Sequence, residues 1–196
     1  AAASAVILWK HWENLRKIAA GTEIGLRGTL SKKHRIEKEK GGRPMSKPLK
    51  KAYLEITNIC NLDCSFCHKT AREKRFIGKE AFAHAVSELS RVADYLYYHV
   101  MGEPLLHPEL AKLFEITAQA GMKSILTTNG TLLKKREAVL LSAPSLHKIS
   151  ISLHAYEANG MTESLDSYID GCLDFADKAS ARGIIVALRL WNIGGK

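Results

Sequence analysis

The chain has 196 residues, 46% of them apolar and 25% charged, with a formal net charge of +9. That length and apolar share allow one sizeable core, so a single globular domain is expected. No apolar run reaches membrane-spanning length, and the apolar opening AAASAVILW lacks the basic flank and cleavage-type site of a signal peptide.

Residues 1–44 stand apart in composition. They hold ten Lys/Arg and four Asp/Glu, whereas 45–196 hold nineteen and sixteen. Nucleic-acid binding wants basic residues spread over a folded face with aromatics among them. Residues 45–196 offer no such pattern, so no nucleic-acid partner is expected. Within the first segment, VILWKHWENLRKIAA carries Leu8, Trp12, Leu15 and Ala19 on one helical face. The polar SKKHRIEKEKGGRP follows it without any period. Two readings stand: a helix with a linker, or sequence upstream of a native start at Met45. The second rests on the purine-rich codons of Lys, Glu, Gly and Arg, which would read as a ribosome-binding site just before Met45. The domain proper is expected to be 45–196.

From residue 50 the pattern is regular. AYLEIT is a strand by composition. GKEAFAHAVSELSRVA spaces Phe82, Val86, Leu89 and Val92 as a helix. DYLYYHV is the second strand. HPELAKLFEITAQAG is a helix, with Pro108 near its start and Gly121 as its stop. KSILTT, LLKKREAVLLSA and HKISISL give strand, helix and strand. A helix over 164–183 and the strand IIVALRL complete the series. Alternation of this kind predicts a parallel α/β sheet, either doubly wound or a barrel. In both, ligands sit beyond the carboxyl ends of the strands. The chemically distinctive stretches all fall there: the cysteines, MGEPLLHP, TTNGT and SLHA.

Cys60, Cys64 and Cys67 lie within eight residues, and Cys172 is the one other cysteine. A tight cluster of this kind suits metal binding in the reducing cytosol better than a disulfide framework. Thiolates select zinc or iron–sulfur clusters. A closed zinc site needs a fourth ligand: His68, Cys172 or a distant residue. His68 adjoins Cys67, and Cys172 sits among apolar helix neighbours as a buried inert thiol. A [4Fe–4S] cluster held by three cysteines leaves one iron open. A zinc-binding interaction module and a cluster protein are therefore both carried forward.

CNLDCSFC resembles the cysteine motif of the radical S-adenosylmethionine (SAM) superfamily, with an aromatic before the third cysteine. MGEPLLHPEL resembles that family's glycine-glycine-glutamate-proline loop, with Met101 in place of the first glycine. TTNGTLL and SISLHA resemble its third- and fourth-strand signatures. The resemblance covers residues 51–190. It implies a partial (β/α) barrel with five of the usual six strands, truncated at its carboxyl end. It also implies that Cys60, Cys64 and Cys67 ligate a [4Fe–4S] cluster whose fourth iron takes SAM. Reductive cleavage would yield a 5′-deoxyadenosyl radical that abstracts hydrogen from an unknown substrate. The reductant would be a flavodoxin or ferredoxin.

The same resemblance sets Phe66 against adenine, and Gly102 and Glu103 at the methionine amino group. Thr128 and Asn129 fall at the third-strand rim. Ser152 matches a ribose or carboxylate contact, with Ser150 on the same strand face. Arg189, in an otherwise apolar strand, is either a buried partner for an anion or a snorkelling strand-end residue. His154 is a candidate substrate contact and His99 a satisfied core histidine. His68, His107 and Glu55 receive no role.

Overall fold

The computed structural model describes residues 47–156, 159 and 164–190. The chain divides into two units, Ala1–Pro48 and Leu49–Lys196. The amphipathic stretch and linker expected in 1–44 lie outside the described residues.

The second unit is an α/β layer. Strands β1 (Lys51–Tyr53), β2 (Tyr95–Tyr97), β3 (Lys123–Thr128), β4 (Leu146–Ser152) and β5 (Ile185–Arg189) form one sheet. Helices α1 (Lys79–Ser90), α2 (Leu110–Gln119), α3 (Leu133–Leu141) and α4 (Leu165–Ser180) connect them in turn. Every pairing is parallel, and the spatial order is β1-β2-β3-β4-β5. A doubly wound sheet reverses its order at a switch point. This one does not reverse, so of the two predicted architectures it is the open, partial barrel. Among the described residues β1 and β5 are its edges.

One sheet face packs on the helices. Leu96 and Tyr98 meet Phe82 and Phe114, while Ile149 and Ile151 lie in the same core as Tyr168, Cys172 and Phe175. The Tyr98 hydroxyl is satisfied there by Leu113 O at 3.0 Å and Thr117 Oγ1 at 2.6 Å. Cys172 is buried, as expected. The other face carries Tyr53, Tyr97 and Thr127, which are exposed or half-buried.

β1 and β2 are each three residues long, shorter than their apolar runs suggest. Pairing continues as single bonds, Leu54 N–H to Tyr97 O at 2.8 Å and Ile56 N–H to Tyr98 O at 3.3 Å. The helix expected at Pro108 starts at Leu110, because a 3₁₀ turn (Pro104–Leu106) comes first, capped by the Glu103 side chain. Ser164 caps α4 by accepting from Ser167 N–H at 3.1 Å.

Candidate functional site

The cysteine loop leaves β1 through a clamped neck. Thr57 Oγ1 donates to Arg75 O at 3.0 Å and accepts from Ile59 N–H at 3.0 Å. Asn58 Nδ2 donates to Glu73 O, and its Oδ1 accepts from Arg75 N–H, both at 2.8 Å. An antiparallel bridge, Thr57 to Phe76, lies beside them. Within the loop Cys67 N–H bonds Cys64 O at 3.1 Å. The sequence gives Thr57 and Asn58 no role, although Asn and Thr just before a loop are turn-forming residues.

The loop after β2 packs against this neck. Gly102 has φ +74°, and a Cβ there would lie 2.6 Å from Thr57 O and 2.8 Å from Ile59 O. The glycine is therefore demanded by the approach of the cysteine loop. Glu103 N–H bonds Ile59 O at 2.8 Å, closing the contact. Glu55 binds the same loop. Its carboxylate accepts from Met101 N–H at 3.0 Å and pairs with Arg72 at 2.8 Å.

Glu103 is buried, and its carboxylate turns toward the third strand. It accepts from Leu105 N–H (3.0 Å), Thr128 Oγ1 (2.8 Å) and Asn129 N–H (2.7 Å). Burial pushes its carboxyl above the usual range, and these three donors oppose the push. Asn129 in turn donates from Nδ2 to Asn61 Oδ1 at 3.0 Å and reaches Cys60 Sγ at 3.9 Å. Its own carbonyl accepts from the Tyr168 hydroxyl at 2.7 Å.

Cys60, Cys64, Phe66, Cys67, Gly102, Glu103, Thr128, Asn129, Ser152 and Arg189 line one cavity of about 740 Å³. It lies at the carboxyl ends of the strands, as parallel α/β folds dictate. Ser150 is the exception. It is buried one step down β4, opposite Thr127 and Ala187, and does not line the cavity. His154 lines the cavity with its ring 5.0 Å from that of Phe66. Arg189 is exposed, which overturns its reading as a buried guanidinium: β5 is an edge, so the side chain reaches the rim in water.

His99 differs in part from expectation, and His107, given no role above, gains one. His99 is satisfied on one side alone, with Nε2 3.0 Å from Thr127 Oγ1 and Nδ1 buried without a partner. Burial, then the nearby Arg189 charge, lowers its pKa to about 4. His107 is a brace. Its Nδ1 accepts from Glu109 N–H at 3.2 Å, which places the proton on Nε2, and that nitrogen donates to Ile77 O at 3.0 Å.

The thiols are not equivalent. Burial raises the Cys60 thiol, while the Leu62 N–H at 3.5 Å draws it back. Cys64 Sγ accepts from Asn159 Nδ2 at 3.1 Å. Asn159 also escaped the sequence reading, since nothing local marks a residue so far along the chain as a cysteine neighbour. Among the described residues no three His, Cys, Asp or Glu side chains converge on one ion position.

The family model described as the Radical SAM superfamily matches residues 54–195. The chain is 34% identical over 119 residues to GTP 3',8-cyclase of Aquifex aeolicus (strain VF5), covering 57% of this chain and 37% of that one. It is 26% identical over 138 residues to Fe-coproporphyrin III synthase of Methanosarcina barkeri (strain Fusaro / DSM 804), covering 68% and 35%. The crystal structure of Streptococcus suis SuiB bound to precursor peptide SuiA superposes with a TM-score of 0.58 at 17% identity, over 94% of this chain and 45% of that one. The chain thus spans little more than a third of the length of the two curated relatives.

Proposed function

The chain belongs to the Radical SAM superfamily, and on that premise we propose that Cys60, Cys64 and Cys67 hold a [4Fe–4S] cluster that binds and reductively cleaves SAM. One observation carries the reading. Three thiols on a neck-clamped loop face a single cavity whose remaining wall comes from the ends of the other strands. The donor set fits: three soft ligands, no fourth drawn in, and open space beside them. When bound, the cluster and SAM supply a 5′-deoxyadenosyl radical that abstracts hydrogen from substrate.

The residues of the chain bind and orient. Gly102 and Glu103 offer backbone oxygen to the methionine ammonium, because the Glu103 carboxylate is already committed to Leu105, Thr128 and Asn129. Thr128 and Asn129 then hold that loop in place. Phe66 offers a ring face for adenine, and Ser152 a hydroxyl for ribose or carboxylate. Arg189 supplies a cation for the carboxylate. Ser150 supports Ser152 from below. Four free cysteines suit a reducing compartment, so the cytoplasm is the proposed location. No helix among the described residues is long and apolar enough to cross a membrane. A flavodoxin- or ferredoxin-type protein is the proposed reductant, and the substrate is left open.

The test is anaerobic reconstitution with iron and sulfide, reduction, and electron paramagnetic resonance with and without SAM. A [4Fe–4S]⁺ signal that shifts with SAM, followed by formation of 5′-deoxyadenosine, supports the reading. A folded protein that takes up zinc and no labile sulfide overturns it.

A further inference from the structure

Asn159 lies far along the chain from the cysteine loop, yet its side-chain amide bonds one sulfur and one backbone N–H of that loop, and one carbonyl after β4. Nδ2 donates to Cys64 Sγ at 3.1 Å and to Ala155 O at 2.7 Å. Oδ1 accepts from Asp63 N–H at 2.8 Å. The orientation follows from these partners. A flipped amide would set its oxygen against a carbonyl and a sulfur, and its NH₂ against an N–H. The donor aimed at Cys64 is therefore held by the carbonyl of Ala155, in the 3₁₀ turn (Leu153–Ala155) that follows β4. Asn129 approaches Cys60 in a weaker way: its Nδ2 is 3.9 Å from the sulfur and is held instead by Asn61 Oδ1 at 3.0 Å.

We propose that Asn159 is a positioning residue that raises the electron affinity of the cluster through Cys64. This rests on the reading of the three cysteines as cluster ligands. The effect is electrostatic. A thiolate bound to iron carries much of the cluster's negative charge, and one-electron reduction adds more. An N–H donor stabilises that charge more in the reduced form than in the oxidised one, so the potential rises. The balance is one electron in, from [4Fe–4S]²⁺ to [4Fe–4S]⁺, with dithionite as the reductant and no proton transferred. Cys64 then differs from Cys60, whose donors among the described residues are the distant Asn129 amide and the Leu62 N–H at 3.5 Å.

The test measures the midpoint potential of the reconstituted full chain and of two variants, by dithionite-poised spin-resonance titration, with iron and sulfide counted in each. N159D keeps the acceptor for Asp63 N–H and replaces the donor with a charged oxygen. N159A removes the donor without adding charge. Both midpoints are expected to fall, N159D further. At the wild-type midpoint the reduced-to-oxidised ratio in N159D drops by about tenfold, which is about 59 mV for one electron. If N159D fails to load, N159A decides. Unchanged midpoints in loaded variants overturn the proposal. So does loss of the cluster from both variants while wild type loads, because Asn159 is then a loop clamp alone. A folded wild type that takes no cluster overturns the underlying iron–sulfur reading instead.

Discussion

The Glu103 carboxylate and the Asn129 N–H, 2.7 Å apart, tie the loop after β2 to the end of β3. Two further donors, Leu105 N–H and Thr128 Oγ1, meet the same carboxylate. Glu103→Gln keeps the shape but replaces one acceptor oxygen with an NH₂ facing donors. A buried group left unsatisfied in this way costs on the order of 1–3 kcal/mol. The midpoint of urea unfolding is expected to fall accordingly. An unchanged midpoint would mean that the loop repacks around the amide.

Gly102 and Gly171 make opposite predictions for the same substitution. Alanine at 102 meets Thr57 O at 2.6 Å and a positive φ, so Gly102→Ala destabilises by roughly 1–3 kcal/mol. Gly171 lies within α4 with nothing within 4 Å of an added Cβ. Gly171→Ala there stabilises by about 0.5–1 kcal/mol. Paired urea titrations check both signs.

His99 gives a pH dependence. Its folded pKa of about 4 lies below its ordinary 6.5. A depressed base binds fewer protons folded than unfolded, so its stability share is full above pH 6.5 and is lost as pH falls through 4. The full shift, discounted for partial exposure, is worth roughly 2 kcal/mol. His99→Asn is expected to flatten the stability profile between pH 6.5 and 4. An unchanged slope would assign the acid sensitivity to other groups, of which buried His107 is the first.

The four cysteines separate by role. Alanine at Cys60, Cys64 or Cys67 is expected to bring iron and sulfide content to background after reconstitution. Cys172→Ala is expected to load normally and to lose about 1 kcal/mol of stability, because it trims a buried side chain from the core. Equal iron in the Cys67→Ala variant would remove that residue from the ligand set.

Arg189→Ala is expected to weaken SAM binding by about tenfold, or 1.4 kcal/mol, in calorimetry on the loaded protein. Arg189→Lys keeps a charge at the cavity but loses the fork, and is expected to recover part of the loss. SAM affinity untouched by either change would leave the guanidinium to the substrate.

Much of this was legible in order and type. Alternating periods fixed five strands with intervening helices, and strand-end loops marked the rim where the cysteines and Glu103 meet. The choice between barrel and doubly wound sheet was legible through the family resemblance alone, because each strand's pattern is the same in either neighbour order. Arg189 fits two readings in the sequence for a related reason, and its exposure favours the strand-end one. An apolar strand reads as buried whether it lies at the centre or the edge of a sheet. The bonds of the Glu103 carboxylate to Thr128 and Asn129 were not legible, because those partners come from another strand. Asn159 left no signal at all. Its link to Cys64 is a contact across most of the fold, with neither spacing nor period to reveal it.

The clamped neck at Thr57 and Asn58 bears on how the site is filled. Its bonds to Arg75 and Glu73 fasten both ends of the cysteine loop to each other using protein groups alone. Part of the entropy of closing the cysteine loop is therefore lost when the chain folds, and not when metal arrives. The thiols face an incoming iron as a tethered trio at high effective molarity. The domain differs in this from a zinc finger, whose fold and metal appear together. On the proposed reading, stripping the cluster should empty a vessel that keeps its walls, and refilling it should proceed at the pace of ligand exchange, with no refolding step.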